Sequence, residues 1–77
     1  MNREEVAKNL IALRGNKTQA TVAEAINVSQ STYAMYESGK RMPSDEVKIR
    51  IANYYRKTVQ SIFFTPKVTK SELLKEG

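Results

Sequence analysis

The stretch that decides the fold is SQSTYAMYESGKRMPS, residues 29–44. It opens with a serine that can cap a helix, continues with helical spacing, and ends in a basic loop around Pro43. On a helix that advances about 100° per residue, Tyr33 and Tyr36 fall on one arc, together with Thr32. The opposite arc carries short or uncharged side chains: Gln30, Ser31, Ala34 and Met35. Since a solvated helix face normally carries Glu and Lys, this arc is predicted to fit closely against a partner.

The two segments before this stretch have the signals of helices with defined ends. Asn2 can cap a helix predicted over residues 3–14, and Gly15 lies where a glycine normally ends one. Thr18 can cap a second helix, predicted over residues 19–26. Both segments repeat apolar residues at helical spacing: Val6, Leu10, Leu13, Val22, Ala23 and Ile26.

Residues 27–29 connect the second helix to the third, which is predicted over residues 30–37. A helix, a three-residue turn and a second helix form the helix-turn-helix arrangement, whose second helix enters the major groove of DNA. This arrangement needs a small residue in the first of its helices, which Ala23 supplies. It also needs a turn residue that tolerates a positive φ, which Asn27 supplies. The spacing therefore predicts a DNA-reading element.

The remainder of the chain predicts two more helices. Ser44 caps a helix over residues 45–55, with acids in its first turn, where the helix dipole favours them. Thr58 caps a short helix over residues 59–63. The predicted fold class is therefore all-α, with five short helices joined by tight turns.

In the order and spacing of its residues, the chain resembles the phage repressor and Cro type of helix-turn-helix regulator, known as the XRE family. The stretches that carry the resemblance are TQATVAEAINVSQSTYAMYESGKRMPS (residues 18–44), VKIRIANYY (residues 47–55) and VQSIFF (residues 59–64). The likeness runs through residues 3–64 and implies a lambda-repressor-like DNA-binding domain. Two departures from the family pattern are the short link RGNK between the first two helices and Asn27 in place of the usual turn glycine.

Four residues of the third helix are candidates for contact with base edges. A glutamine amide can form a two-point contact with adenine, and the resemblance places Gln30 at a base-contacting position. Ser31 can hydrogen-bond a base or a phosphate, and Met35 offers apolar contact to a thymine methyl group. Ala34 is small, which lets the helix approach closely. The alternative for each of them is an ordinary surface residue.

A second set of residues is predicted to hold the phosphate backbone. They lie on the loops around the third helix or at helix starts, where free amides and hydroxyls bind phosphate. They are Lys17, Thr18, Gln19, Ser29, Thr32, Lys40 and Arg41. The alternative is simple capping for the polar residues and solubility for the basic ones. Four other cations are expected to be solvated: Lys48, Arg50, Arg56 and Lys57. The alternative for some of them is to extend the basic surface or to contact a partner subunit.

Glu37, at the end of the third helix, would be unfavourable beside DNA unless a cation paired with it. The resemblance implies a mostly buried ion pair between Glu37 and Arg14. The role of this pair is expected to be structural, because removing one partner would leave an uncompensated charge.

The composition limits the classes of function. The chain has 77 residues, enough for one domain with a modest core, and its 13 Lys and Arg against 8 acids give a net charge of +5. This charge favours a polyanionic partner, chiefly nucleic acid. The chain has no histidine and no cysteine, and it has no paired-carboxylate constellation or glycine-rich phosphate loop. An enzyme, a metal site and a cofactor are therefore not expected.

The organisation of the chain is predicted to be one DNA-binding domain, residues 1–64, and a polar tail, residues 65–77, that is flexible or takes part in a dimer contact. No apolar run approaches the length of a membrane span, and the start of the chain lacks the apolar region of a signal peptide. We therefore expect a cytoplasmic protein.

The function expected from these patterns is sequence-specific regulation of transcription, of phage or mobile-element type, by a homodimer on a double-stranded DNA operator. Two-fold symmetry doubles the few contacts that one small module makes. The dimer contact is expected in the last helix and the tail, at Phe63, Phe64, Leu73 and Leu74.

The alternative function is a protein-binding module, such as an antitoxin or antirepressor, whose apolar end would bind a partner protein. RNA is less favoured, because no aromatic stacking platform is predicted on the surface. No small-molecule ligand is expected.

Overall fold

In the computed structural model, which describes residues 2–64, the chain folds into five consecutive helices. They are α1 (Arg3–Arg14), α2 (Gln19–Ala25), α3 (Gln30–Glu37), α4 (Asp45–Tyr55) and α5 (Gln60–Phe64). The described residues form no strand, which confirms the all-α class. None of these helices combines the length and the apolar character needed to cross a bilayer. The predicted tail, residues 65–77, lies outside the described residues.

The starts of the helices are set by local capping. At Asn2 the predicted cap forms a full capping box: the Asn2 side chain accepts the Glu5 N–H at 2.9 Å, and the Glu5 carboxylate accepts the Asn2 N–H at 3.3 Å. Three further N-caps each accept a hydrogen bond from the N–H three residues on: Thr18, Ser29 and Ser44. Each cap of this kind contributes about 1 kcal/mol to stability.

The turn between α2 and α3 ends α2 with a left-handed residue and two backbone hydrogen bonds. Asn27 adopts a φ of +63°, the left-handed conformation predicted for it. Its N–H donates to the Glu24 carbonyl at 3.2 Å, and the Val28 N–H donates to the Ala23 carbonyl at 3.0 Å. These two bonds satisfy carbonyls that the end of a helix otherwise leaves free. The turn therefore sets the angle between α2 and α3, although α2 ends one residue earlier than predicted.

One apolar core joins all five helices. α3 contributes Tyr33 and Tyr36, whose rings meet edge to face with their centroids 6.2 Å apart. This confirms the prediction that the arc of α3 with Tyr33 and Tyr36 faces the core. The other buried residues of this core are Val6, Leu10, Val22, Ala23, Ile26, Val47, Ile51, Ala52, Ile62 and Phe63.

The last described element, α5, differs from the prediction in position and winding. It runs from Gln60 to Phe64, one residue later than predicted, as a π-helical turn. The predicted cap is present, since Thr58 Oγ1 accepts the Ser61 N–H at 3.0 Å. Phe63 is 1% exposed whereas Phe64 is 49% exposed. Phe63 therefore belongs to the core, and only Phe64 of this pair offers a surface to a partner.

Candidate nucleic-acid interface

The arc of α3 opposite its buried tyrosines stays outside the apolar core. Gln30 and Ser31, in the first turn, are exposed, and Ala34 and Met35, one turn later, are half-buried. The Gln30 side chain makes no hydrogen bond to any residue between 2 and 64. Its amide therefore keeps both donor and acceptor groups available to a partner.

A small network of hydroxyl groups surrounds the start of α3. Ser29 Oγ lies 3.2 Å from Ser31 Oγ and donates to Thr32 Oγ1 at 2.8 Å. It also accepts the Thr32 N–H at 3.1 Å. The cap of the helix and the exposed Ser31 hydroxyl are therefore coupled, which limits the orientations that Ser31 adopts.

The end of α3 is joined to α1 and α2 by one buried carboxylate. Glu37 is 7% exposed, and its Oε2 accepts Arg14 Nε at 2.7 Å while its Oε1 accepts Arg14 Nη2 at 3.1 Å. Gln19 Nε2 donates to the same Oε1 at 2.9 Å. Arg14 Nη1 also donates to the Lys17 carbonyl at 2.7 Å. One side chain of α3 thus holds the last residue of α1 and the first residue of α2.

These hydrogen bonds decide the charge state of the cluster. Burial acts to raise the pKa of Glu37, but the hydrogen bonds from Arg14 and its other neighbours outweigh it and hold that pKa below its usual value. The hydrogen bonds with Glu37 raise the pKa of Arg14. Both groups are therefore charged at neutral pH, and the only acid of α3 is neutralised within the protein.

Two tyrosine hydroxyls are buried beside this cluster. Within the described part of the chain, the hydroxyls of Tyr33 and Tyr55 have no hydrogen-bond partner of satisfactory geometry. Burial, and after it the neighbouring Glu37, raises the pKa of Tyr33, and burial raises the pKa of Tyr55. Both phenols therefore stay neutral across the physiological range.

The cations around α3 differ from those on α4 in whether they are paired. Lys17, Lys40 and Arg41 are exposed, and none of them forms an ion pair with a residue in the range 2–64. On α4, by contrast, two of the cations that were expected to be solvated form ion pairs. Lys48 Nζ lies 3.8 Å from Asp45, and Arg50 Nη2 lies 2.8 Å from Glu46. The unpaired charge is therefore available on the loops that border α3.

The basic loop after α3 is folded back over the end of that helix. The N–H groups of Lys40 and Arg41 both donate to the Met35 carbonyl, at 3.0 and 3.3 Å. Gly39 makes this turn possible with a φ of +77°. The two cations are therefore held next to the arc that carries Met35.

Two contacts of this region were missed by the sequence prediction. Gln19 is predicted to bind phosphate or to cap α2, and its amide instead donates to Glu37. Arg3 was given no role, and its Nη1 donates to the Lys40 carbonyl at 3.1 Å. Neither contact has a local signal, because the partners lie 18 and 37 residues apart in the sequence. The pairing of Glu46 with Arg50 did have a signal, the spacing i, i+4.

The described residues contain no group of three or more acidic, histidine or cysteine side chains that could hold a metal ion. The arrangement consists instead of an uncharged helix face and of unpaired cations on the loops before α2 and after α3. Such a surface suits a polyanion that offers both phosphates and a readable groove.

Comparisons with known proteins identify a family for this chain. A family model described as Helix-turn-helix matches residues 8–62. Part of the chain is similar to the cryptic phage CTXphi transcriptional repressor RstR of Vibrio cholerae, with 45% identity over 38 residues. That stretch covers 49% of this chain and 34% of the repressor, so the chain spans about a third of the length of this curated relative. No solved structure matches the chain.

Proposed function

This chain belongs to the helix-turn-helix family of the XRE type, and on that premise we propose that it is a sequence-specific regulator of transcription. It binds double-stranded operator DNA and reads the major groove with α3. The observation that carries the proposal is the uncharged arc of α3 together with the unpaired cations on the loops before α2 and after α3. The similarity to a phage repressor supports a regulator of phage or mobile-element type. The cytoplasm is the proposed location.

The proposed base contacts are made by the exposed and half-buried side chains of α3. Gln30 reads adenine through its free amide, and Ser31 hydrogen-bonds a base or phosphate from the orientation that Ser29 imposes. Met35 contacts a thymine methyl group, and Ala34 leaves room for the duplex. All four lie on the arc that the core does not use.

The proposed phosphate contacts come from the starts of α2 and α3 and from the loops before α2 and after α3. They are Lys17, Thr18, Gln19, Ser29, Thr32, Lys40 and Arg41. Gln19 has two amide N–H groups, and only one is needed for Glu37, so the second is free to donate to phosphate. Arg14 and Glu37 touch no DNA in this proposal. They hold the start of α2 and the end of α3 at the distance that one duplex requires.

The proposed assembly is a homodimer, because one module of this size makes too few contacts for useful specificity. An exposed apolar surface supports it: Ile49 is 53% and Phe64 49% exposed. Both border a groove of about 440 Å³ that Asp45, Lys48 and Val59 also line. Of the residues named from the sequence, Phe64 fits this role and Phe63 does not, while Leu73 and Leu74 lie outside the described residues. A division into a domain, residues 1–64, and a tail, residues 65–77, belongs to the same proposal.

The experiment that tests base reading is selection of binding sites from random duplex DNA by wild type, followed by selection with Gln30→Ala. The expected result is an inverted repeat in which the variant relaxes one base position in each half-site. The matched control is Asn53→Ala, an exposed polar residue of α4 away from α3, which should return the wild-type repeat. Binding that is indifferent to sequence in wild type would overturn the proposal.

The test of the dimer is sedimentation equilibrium of wild type and Phe64→Ser, each with and without the selected duplex. Wild type should sediment as a dimer on DNA, and Phe64→Ser should weaken self-association. A wild type that stays monomeric under both conditions would remove the dimer from the proposal.

The second candidate function is a protein-binding module of antitoxin or antirepressor type. The exposed Ile49 and Phe64 favour it, since an apolar surface of this kind binds a protein as readily as a second copy. Weak DNA binding without sequence preference, together with a monomeric chain, would support this candidate over the first.

A further inference from the structure

Arg3, the first residue of α1, joins two parts of the chain that lie far apart in sequence. Its Nη1 donates to the Lys40 carbonyl at 3.1 Å. The backbone of Gly39 also lies close to the backbone at the start of α1. A Cβ added at Gly39 would lie 3.7 Å from the Arg3 carbonyl oxygen and 3.8 Å from Glu4 Cα. The start of α1 and the basic loop after α3 therefore form one packed unit.

The stability of α1 does not explain an arginine at this position. The N-terminus of a helix favours acids and disfavours a cation, and α1 accordingly carries Glu4 and Glu5 beside Arg3. The guanidinium reaches instead towards the carbonyl end of α3, where a positive charge is favourable. Arg3 thus donates a hydrogen bond to the loop after α3, although its positive charge is unfavourable at the N-terminus of its own helix.

Arg3 keeps both charge and donors after this contact. It is exposed and forms no ion pair within residues 2–64. A guanidinium has several N–H groups, and the contact with Lys40 uses one of them. The remaining donors have the planar arrangement that suits a phosphate group.

The neighbours of Arg3 place it at the edge of the proposed DNA surface. Lys40 and Arg41 are held against the Met35 carbonyl by their own N–H groups. Met35 lies on the arc of α3 that is proposed to read bases. A cation bonded to the Lys40 carbonyl therefore lies beside the loop that carries Lys40 and Arg41, and it adds a positive charge next to theirs.

We infer that Arg3 is a phosphate-binding residue that also positions the basic loop: it holds the Lys40 carbonyl with one N–H and binds the DNA backbone with the others. This inference rests on the proposed function. Its consequence is that the phosphate-binding surface includes the start of α1 as well as α2 and the loop after α3. Arg3 adds affinity without sequence information.

The test is a salt titration of binding to a fluorescently labelled duplex of mixed sequence, by anisotropy, with wild type, Arg3→Gln and Arg3→Lys. Arg3→Gln should lower the steepness of log K against log salt by about 0.9 per bound chain, the value for one lost phosphate contact. Arg3→Lys keeps the charge and should keep most of the slope.

The matched control is Lys8→Gln, another exposed cation of α1. Lys8 lies roughly 140° around the helix from Arg3, so its loss should leave the slope close to that of wild type. Thermal unfolding of each variant, followed by circular dichroism, shows that the exposed substitutions leave the fold intact.

Two outcomes would overturn the inference alone. One is a wild-type slope in Arg3→Gln, which would show a contact that acts only within the protein. The other is an equal loss of slope in Lys8→Gln, which would show a general effect of net charge. A wild type that fails to bind duplex DNA would overturn the proposed function as well. The titration of wild type alone separates this failure from a failure of the inference about Arg3.

Discussion

Arg14 binds Glu37 with two N–H groups, with Nε 2.7 Å from Oε2 and Nη2 3.1 Å from Oε1. The carboxylate side chain is 4% exposed and the guanidinium side chain 23%. The pair therefore joins the ends of α1 and α3 at a point where water competes weakly for the carboxylate. Gln19 extends the contact to α2.

Replacing Glu37 by Ala should destabilise the fold by about 3 kcal/mol, measured by urea unfolding. The variant loses three hydrogen bonds that Glu37 accepts, and it leaves Arg14 without its partner. We expect the lower end of the range for broken buried pairs because Arg14 is partly solvated. The control is Glu24→Ala, an exposed acid of α2, which should change stability by less than about 0.5 kcal/mol. Equal stability of the Glu37→Ala variant and wild type would show that the pair carries no structural role.

The same pair predicts a dependence of stability on pH. The folded-state pKa of Glu37 lies below its unfolded value of 4.5. The folded state therefore favours the ionised carboxylate, and the stability from this group is fully present above the unfolded pKa. It is lost as the pH falls from 4.5 through the folded pKa.

The measurement is unfolding of wild type and Glu37→Gln at a series of pH values. The stability advantage of wild type should be constant from neutral pH down to about pH 5 and should shrink below it. An advantage that stays constant down to pH 3, as for a group with no pKa difference, would contradict the prediction.

Tyr33→Phe should leave stability at neutral pH unchanged or raise it by up to about 1 kcal/mol. The hydroxyl of Tyr33 is buried and has no well-formed hydrogen bond within the described residues. Removing an unsatisfied buried donor relieves a desolvation cost, and the ring stays in place. Thermal unfolding of the variant measures the difference. A loss of about 1 kcal/mol would instead indicate that the hydroxyl donates to Glu37 in solution.

Asn27 allows a test of the turn between α2 and α3. Its φ of +63° is a conformation that glycine adopts freely and a β-branched residue adopts poorly. Asn27→Gly should change stability by less than about 1 kcal/mol, whereas Asn27→Val should cost about 1–2 kcal/mol. Thermal unfolding of the two variants side by side provides the comparison. Equal stability of the Val and Gly variants would mean that the turn does not require the left-handed conformation.

The sequence predicted the helices well because the signals that start and stop them are local. Thr18, Ser29 and Ser44 each cap the N–H three residues on, so the cap and its target are visible together in the sequence. Asn27 likewise identified its turn from its own conformational preference. The winding of α5 was not predicted, since the π-helical turn has no comparable local signal.

The candidate site was predicted in part for the same reason. The periodicity of α3 separates Tyr33 and Tyr36 from Gln30 and Ser31, and burial follows that division. Whether the exposed residues read DNA remains the proposal that Gln30→Ala tests. The pairing of Arg14 with Glu37 was implied by family resemblance and not by local pattern.

The sequence by itself determined, to within one residue, where the helices begin and end. It also determined which arc of α3 is apolar and the excess of positive charge. These depend on hydrogen bonds within one turn, on helical spacing and on the numbers of basic and acidic residues. The tertiary structure alone decided that Gln19 donates to Glu37, that the exposed Phe64 lies beside the exposed Ile49, and that Arg3 reaches the Lys40 carbonyl. Each of these depends on the packing of helices, which brings together residues that share no local pattern.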